Sequence, residues 1–315
     1  MNNLITDSIG VMDFVILNKK IWFVSAYYNF LFKADIDSLV IEDALRLPFG
    51  KAFDTFTVLV MHAVDNKIII FPNRNIGGIV IFDFISESVK VENVCFPDEE
   101  WGNGSTEDEK FIYFPIKNKN KLLKFNKQNY RISYVDIPYN INGTAAIKKI
   151  KDIIWMVDSY DGKIVSWNLN DNTVFKYDNI KDYKCSIYSQ SVCAIVGTED
   201  LYFFPRFANG IIKKHGEKIQ LYGNVIEEYI DKVSVFTSVH HIQQGYMGYY
   251  NIGNVWRIYN DNMQLVSEIT MKFSDRVCSL LNSQSLFEDY QSNVDSEIII
   301  EKDKIFTLNA FIHSL

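Results

Sequence analysis

The chain has 315 residues, of which 48% are hydrophobic and 15% aromatic, and this composition is ample for a large core. Its formal net charge is −7 at pH 7, which argues against a general nucleic-acid binder because such proteins need a basic surface, although a local basic patch stays open. No apolar run approaches about 18 residues, so we expect no membrane span. The first residues also lack the basic and apolar parts of a signal peptide.

Cysteine usage indicates a reducing compartment. The chain has four cysteines without CxxC spacing, at Cys95, Cys185, Cys193 and Cys278. So few and so widely spaced, they are typical of thiols rather than of a disulfide framework. We therefore expect a cytoplasmic protein.

The stretch Asn66–Val94 predicts a unit of three strands. An apolar run, Ile68–Phe71, ends at Pro72 and is followed by a polar turn. A second apolar run, Ile79–Phe84, leads through a polar break to the alternating residues around Val89–Val91. Two apolar runs joined by a tight turn indicate a pair of strands with a third strand behind them.

The same pair of apolar strands recurs along the chain. Six further copies begin at Ile21, Phe111, Ile153, Leu201, Tyr246 and Ile305. Successive copies start 42 to 48 residues apart, except the last, which follows after 59. Repeats of roughly 40 to 50 residues are typical of four-stranded propeller blades. Most copies also follow a candidate inner strand, at Phe14–Leu17, Thr57–Val60, Ala145–Lys148, Val192–Val196, Val233–Thr237 and Ile298–Ile300.

These repeats predict an all-β chain that forms a single β-propeller domain over residues 1–315. Seven blades of about four antiparallel strands are expected, with six as the alternative if the seventh copy and the N-terminus form an incomplete appendage. The N-terminal residues are candidates for completing the last blade. Residues 272–295 are expected to form a helix against the final blade or a cap over one rim.

The repeat resembles the β-propeller superfamily as a class, and no individual family is assigned. Gly-His and Trp-Asp pairs of the WD40 kind do not occur, and the kelch glycine doublet occurs once, at Gly77-Gly78. The fourth copy is similar to quinoprotein-type repeats through Asp158, Asp161-Gly162 and Trp167. The pair Phe-Pro recurs at the ends of three second strands, at Pro72, Pro115 and Pro205. Because proline has no N–H group to donate to a neighbouring strand, we expect each of these strands to end at its proline.

The catalytic and phosphate-binding motifs GxSxG, Walker loop and GxGxxG do not occur in the sequence, and a Ser–His–Asp or Cys–His constellation is not recognisable without geometry. The adjacent pair His240-His241 faces opposite sides of a strand, so the two do not chelate one metal easily. The acidic stretch Asp98–Glu109 is interpreted as a solvated loop, with acid–base catalysis as the lesser alternative. We therefore predict no catalytic residue, no metal site and no cofactor.

The turns that follow the second strands are the candidate functional surface. In a propeller these turns lie on the same face as the loops between blades. The residue directly after the second strand varies in charge between copies, although the fold requires only a turn there; ordinary turns are the alternative interpretation. We predict that this rim, together with the acidic loop, binds a partner through Asn73, Arg74, Trp101, Asp158, Arg206 and Asn251. Trp101 has a second interpretation, as a side chain folded over the weak inner strand of the third copy.

Two functions remain open at this point. The first is a non-catalytic binding or scaffold propeller for a protein or peptide partner, because numerous aromatics favour interaction surfaces. The alternative is a glycan- or metabolite-processing enzyme that uses Asp158 for acid–base chemistry and Arg74 or Arg206 to hold an anionic group. The sequence leaves the oligomeric state open.

Overall fold

The computed structural model describes residues 9–48, 58–72, 78–94, 104–116, 119–139, 141, 144–158, 161–177, 180–186, 191–226, 231 and 233–281. The chain divides into two compact units, which we call unit 1 (Met1–Asn93 and Gln244–Leu315) and unit 2 (Val94–Gln243). In the described ranges no helix has the length and apolar character needed to cross a membrane.

The first two blades belong to unit 1 and are built from consecutive antiparallel strands. The first blade contains β1 (Val11–Leu17), β2 (Lys20–Ser25), β3 (Phe30–Asp35) and β4 (Val40–Arg46). The second blade contains β5 (Val58–Val64), β6 (Lys67–Pro72), β7 (Gly78–Asp83) and β8 (Ser88–Asn93).

The next three blades belong to unit 2 and repeat this order. The third contains β9 (Thr106–Glu107), β10 (Phe111–Pro115), β11 (Lys121–Asn126) and β12 (Ile132–Asp136). The fourth contains β13 (Thr144–Ile150), β14 (Ile153–Asp158), β15 (Ile164–Asn168) and β16 (Val174–Tyr177). The fifth contains β17 (Val192–Val196), β18 (Leu201–Pro205), β19 (Gly210–His215) and β20 (Lys218–Asn224).

The sixth blade is the last in the described chain. It contains β21 (Phe236–Ile242), β22 (Gly245–Tyr250), β23 (Val255–Tyr259) and β24 (Leu265–Ile269). The chain continues into β25 (Lys272–Phe273) and the short helix α1 (Asp275–Leu281). β25 joins the first blade as a fifth, parallel strand beside β4.

Within the described residues the structure has six blades, so the leading expectation of seven is wrong there and the stated alternative of six agrees with it. The count rested on apolar strand pairs, whereas a blade needs four paired strands. The seventh copy begins at Ile305 and lies outside the described residues. After Ile269 the chain adds β25 to the first blade instead of starting another sheet, so the helix lies against the first blade rather than the final one.

Burial explains why the second strands were visible in the sequence. Almost every residue of β2, β6, β14 and β18 is buried, because each strand lies inside its sheet and both faces of the sheet are covered. A short continuous apolar run is the pattern of such a strand. The outer strands β8, β12 and β16 mix exposed and half-buried residues because they form the blade edges. As predicted, Pro72, Pro115 and Pro205 are the last residues of their strands.

Four inner strands share a bulge near their first residue. The register shifts between Val11 and Asp13 in β1 and between Val58 and Val60 in β5. It also shifts between Thr144 and Ala146 in β13 and between Val192 and Ala194 in β17. Each bulge lies opposite the end of the second strand. Since a bulge bends a strand and redirects its side chains, the repeated bulges shape the end of the blade that carries the candidate turns.

Side chains also link inner strands of neighbouring blades. In unit 1 the carboxylate of Asp13 accepts a hydrogen bond from the amide of Met61, at 2.8 Å. In unit 2 the hydroxyl of Thr106 accepts one from the amide of Lys149, also at 2.8 Å. These bonds satisfy amides at inner strand edges, where a backbone ladder to the next blade is not formed.

Candidate functional site

The structure describes three of the six candidate binding residues. Asn73, Arg74 and Trp101 lie outside the described residues. Asp158 and Arg206 belong to unit 2, where they follow or end the second strands of the fourth and fifth blades. Asn251 belongs to unit 1 and follows β22.

Asp158 is held by backbone contacts at the end of β14. It pairs with Thr144 of the inner strand and is only 5% exposed. Its amide donates to the carbonyl oxygen of Lys163 at 2.9 Å, and its carbonyl oxygen accepts from the amide of Gly162 at 2.9 Å. The turn is thus closed by main-chain groups, while Lys163 makes an ion pair with Asp161 at 2.8 Å.

Gly162 brings this turn against the segment that leads to the fifth blade. Its φ of +69° lies in the left-handed region that favours glycine. A β-carbon at this position would lie 2.9 Å from the sulfur of Cys185 and 3.3 Å from the hydroxyl oxygen of Ser191. The fourth-blade turn therefore packs closely on residues that precede β17.

Ser191 connects this contact to Arg206. Its carbonyl oxygen accepts hydrogen bonds from the amides of Arg206, at 2.8 Å, and Phe207, at 3.3 Å. Ser191 is fully buried, and within the described part of the chain its hydroxyl makes no hydrogen bond. A buried hydroxyl in this state is uncommon.

Arg206 places a partly buried cation at the turn after β18. Its carbonyl oxygen accepts from the amide of Val235 at 2.7 Å, so both main-chain groups are used. The residue is half-buried and its Nε atom is inaccessible to solvent, while the guanidinium carbon lies 5.5 Å from the centre of the Phe207 ring. The pKa of the guanidinium is lowered by burial, and the smaller, opposite effect of the nearby Cys193 does not offset this. An arginine nevertheless stays protonated in proteins.

The segment before β17 runs beside the Arg206 turn. Cys185 forms an isolated antiparallel bridge with Ala208, and the amide of Ser186 donates to the carbonyl oxygen of Phe207 at 2.9 Å. The hydroxyl of Ser186 hydrogen-bonds to Asp231. Burial raises the pKa of the Cys185 thiol, and the carboxylates of Asp161 and Asp231 raise it further.

These contacts define one group of residues in unit 2, which we call the turn cluster. Its members are Asp158, Asp161, Gly162, Cys185, Ser191, Arg206 and Phe207. Sequence reasoning found Asp158 and Arg206 from their position after the second strand. It missed Ser191 and Cys185, because nothing in the sequence indicates that they pack against Gly162.

Asn251 has a different environment in unit 1. Its side chain is 4% exposed, and its carbonyl oxygen accepts from the amide of Asn254 at 3.3 Å. The neighbouring Tyr250 ring lies 3.4 Å from the guanidinium carbon of Arg257, which also bonds to Glu268 at 2.5 Å. Asn251 thus sits in a buried turn, and its role in binding stays a prediction.

The described part of the acidic loop lies at the other end of its blade. Asp108 accepts hydrogen bonds from the Phe111 amide at 2.8 Å and the Tyr113 hydroxyl at 2.7 Å, and it pairs with Lys149 at 3.2 Å. It therefore closes the turn between β9 and β10, whereas the candidate turn follows β10. The expectation that the whole loop shares the rim with the second-strand turns is wrong for this residue.

Burial and hydrogen bonding have opposite effects on the pKa of the Asp108 carboxyl. Burial raises the pKa of its carboxyl, but the hydrogen bonds from Tyr113, Phe111 and Lys110, together with Lys149, bring it from 3.8 to about 2. The same burial and contact raise the pKa of the Tyr113 hydroxyl. Asp108 is thus a structural carboxylate that stays ionised at neutral pH.

Metal-ligating side chains do not form a cluster in the described ranges. Nowhere in them do three or more His, Cys, Asp or Glu side chains come together in a way that could hold a metal ion. Cys185, Cys193 and Cys278 are thiols and form no disulfide. In β21, His240 is half-buried and His241 exposed, in keeping with side chains on opposite faces of a strand.

Comparison with known proteins identifies the fold. No protein-family profile matches the sequence, and no curated protein does. Among solved structures, a streptogramin B lyase aligns over 86% of each chain with a TM-score of 0.59 and 16% identity. The fold is a β-propeller.

Other solved propellers align comparably well. Virginiamycin B lyase from Staphylococcus aureus covers 87% of this chain and 88% of its own, with 14% identity and a TM-score of 0.58. The WD40 repeats of RRP9 cover 84% and 81%, with 12% identity and a TM-score of 0.54. The matched structures thus include lyases and a WD40 protein, and at these identities the likeness concerns the fold alone.

Proposed function

We propose that this chain is a non-catalytic binding or scaffold propeller that engages a protein or peptide partner through the turns after its second strands. The candidate contact residues are Asn73, Arg74, Trp101, Asp158, Arg206 and Asn251. Arg206 is the leading residue among them, because its environment is the best defined.

The observation that supports this proposal is that the main chain and the side chain of Arg206 have separate roles. Its amide and carbonyl groups are bound by Ser191 and Val235, and these two bonds hold the turn. The guanidinium is not needed for either bond, yet it is held half-buried beside Phe207. A turn at this position requires no cation, so we take the arginine to serve recognition rather than the turn itself.

The chemistry of the guanidinium defines the group that it recognises. An arginine presents a planar set of donors that matches a carboxylate in a bidentate manner. The Phe207 ring beneath it limits the orientations of the guanidinium and so reduces the entropy lost on binding. We therefore expect an acidic side chain or a terminal carboxylate of the partner at Arg206.

Affinity capture from a native lysate with three matched baits tests the proposal. The baits are the wild-type chain, Arg206→Gln, and Arg131→Gln, which removes an exposed arginine elsewhere in unit 2. A partner retained by the wild type and the Arg131 variant but lost by the Arg206 variant supports the proposal. A partner retained equally by all three contradicts it.

A further inference from the structure

The segment after the sixth blade forms a strap along the outer edge of the first blade. The strap, which we define as Lys272–Leu281, consists of β25 and α1 and belongs to unit 1 together with β4. The amide of Lys272 donates to the carbonyl oxygen of Leu39 at 3.3 Å, and the amide of Ser274 donates to that of Ile41 at 3.0 Å. Both bonds join main-chain groups, so they do not depend on the side chains of the strap.

Most of the β4 edge lies beyond the reach of the β25 ladder. β4 has seven residues, Val40–Arg46, and β25 pairs with only the first two, Val40 and Ile41. The helix α1 lies beside the rest of β4, and the hydroxyl of Ser274 donates a hydrogen bond to the carbonyl oxygen of Glu42 at 3.5 Å. An outer strand held by so short a ladder is a template for pairing with another extended segment.

Side-chain anchors hold the strap in its place. The Phe273 ring lies 6.3 Å from that of Phe32, and α1 buries Val277 and Leu281, which are spaced one helical turn apart. Ser274 directly precedes the helix, and its hydroxyl accepts a long hydrogen bond from the amide of Val277 at 3.4 Å. These residues specify a pattern of one aromatic, one capping hydroxyl and two aliphatic side chains.

The polar side-chain attachment of the strap is weak for an integral part of a blade. Arg276 pairs with Asp43 at 3.1 Å, but the side chains are 75% and 43% exposed, and such surface pairs contribute little. A helix of seven residues is marginal on its own, so α1 depends on its packing. The connection from β24 to β25 is short, so the strap has a high effective concentration at β4, and this offsets the weak ion pair and the short helix.

We propose that the outer edge of the first blade is a strand-addition site for a peptide partner and that the strap is its displaceable occupant within the same chain. The partner carries an extended segment parallel to β4 with an aromatic residue at the place of Phe273. After it come a capping residue, a basic residue facing Asp43 and two aliphatic residues four positions apart. This site is separate from the turn cluster and does not depend on the function proposed for Arg206.

A labelled synthetic peptide with the sequence of residues 270–281 is the probe, and full-length chains are the binders. Val277→Asp weakens the strap while leaving β4 intact, and Ser279→Asp places the same charge on the exposed side of the same helix as a control. We expect the peptide to bind the Val277 variant at least about tenfold more tightly than the wild type or the control. A peptide with Asp at the position of Phe273 is expected not to bind.

Two results overturn the proposal. One is a folded Val277 variant that binds the peptide no better than the wild type. The other comes from hydrogen exchange on the wild-type chain, which needs no variant to fold. If the amides of Lys272, Ser274 and Cys278 exchange only through global unfolding, the strap is an integral element, whereas local opening well below the free energy of unfolding supports its displacement.

Discussion

The amide of Arg206 donates a hydrogen bond to the carbonyl oxygen of Ser191, at an N···O distance of 2.8 Å. Ser191 itself lies against Gly162 of the preceding blade, so this bond ties the fifth-blade turn to the fourth. The main chain at Arg206 is thereby fixed independently of its side chain. Substitutions of the side chain should consequently change recognition more than stability, which separates the predictions for Arg206 from those for Gly162.

Replacing Gly162 by alanine should destabilise the chain through crowding as well as backbone strain. The new β-carbon would meet Cys185 and Ser191 at a positive φ. Gly216→Ala is the matched control, because Gly216 also has a positive φ, of +56°, but its β-carbon would meet nothing within 4 Å. Both variants carry about 1 kcal/mol of backbone strain. The free energy of unfolding, measured with urea, should fall by at least about 1 kcal/mol more in the Gly162 variant than in the Gly216 variant. Equal losses would show that Cys185 and Ser191 move aside without cost.

Replacing Asp13 by alanine should remove a buried acceptor between two blades of unit 1. The amide of Met61 would lose the carboxylate partner that it has at 2.8 Å. Leaving a buried amide unsatisfied costs about 1–3 kcal/mol. Hydrogen exchange should show faster exchange at Met61, while Asp37→Ala, at an exposed turn position, should leave that amide unchanged. Unchanged protection of Met61 in the Asp13 variant would contradict this role.

Asp108 should make the stability of unit 2 sensitive to acid. Its pKa of about 2 in the folded chain lies below the ordinary 3.8, so its stabilisation is fully present above about pH 4 and is lost as the pH falls towards 2. The advantage of the wild type over Asp108→Asn in free energy of unfolding should therefore shrink by about 1–2 kcal/mol across this interval. Urea unfolding at pH 5, 4, 3 and 2 measures it, with Asp136→Asn at an exposed position as the control. An advantage independent of pH would show that the charge of Asp108 is not what stabilises the turn.

Trp101 tests whether the polar loop before the third blade contributes to binding. It lies outside the described residues, and its role stays a prediction. If it belongs to the binding surface, Trp101→Ala should weaken partner binding with little change in melting temperature, because an exposed aromatic contributes to contact and not to the core. A large loss of stability with Trp101→Ala would instead assign it to the core of the third blade.

The blade pattern was readable because it depends on local apolar runs. The predicted inner strand Val192–Val196 coincides with β17, and Pro205 ends β18 as its missing N–H requires. Seven blades were expected because each apolar strand pair was counted as a blade, whereas a blade requires four strands in one ladder. The copy at Ile305 lies outside the described residues. The requirement for four strands concerns pairing across the sheet, which a single sequence does not display.

The candidate site was only partly predictable for the same reason. Asp158 and Arg206 were found because their place in the repeat marks the end of a second strand. The contact of Gly162 with Cys185 and Ser191 joins residues of different blades, and no periodicity in the sequence indicates it. The position of Asp108 was misjudged because the polar residues before β10 gave no sign of the two-residue strand Thr106–Glu107.

The most direct test of the binding function is the dissociation constant of the captured partner for three chains, measured together with their melting temperatures. The chains are the wild type, Arg206→Gln and Arg131→Gln. We predict that Arg206→Gln weakens binding at least about tenfold, or about 1.4 kcal/mol, while its melting temperature stays close to that of the wild type. Arg131→Gln should change neither quantity. Equal dissociation constants for all three chains, with their folds intact, would contradict the assignment of Arg206 to the binding surface.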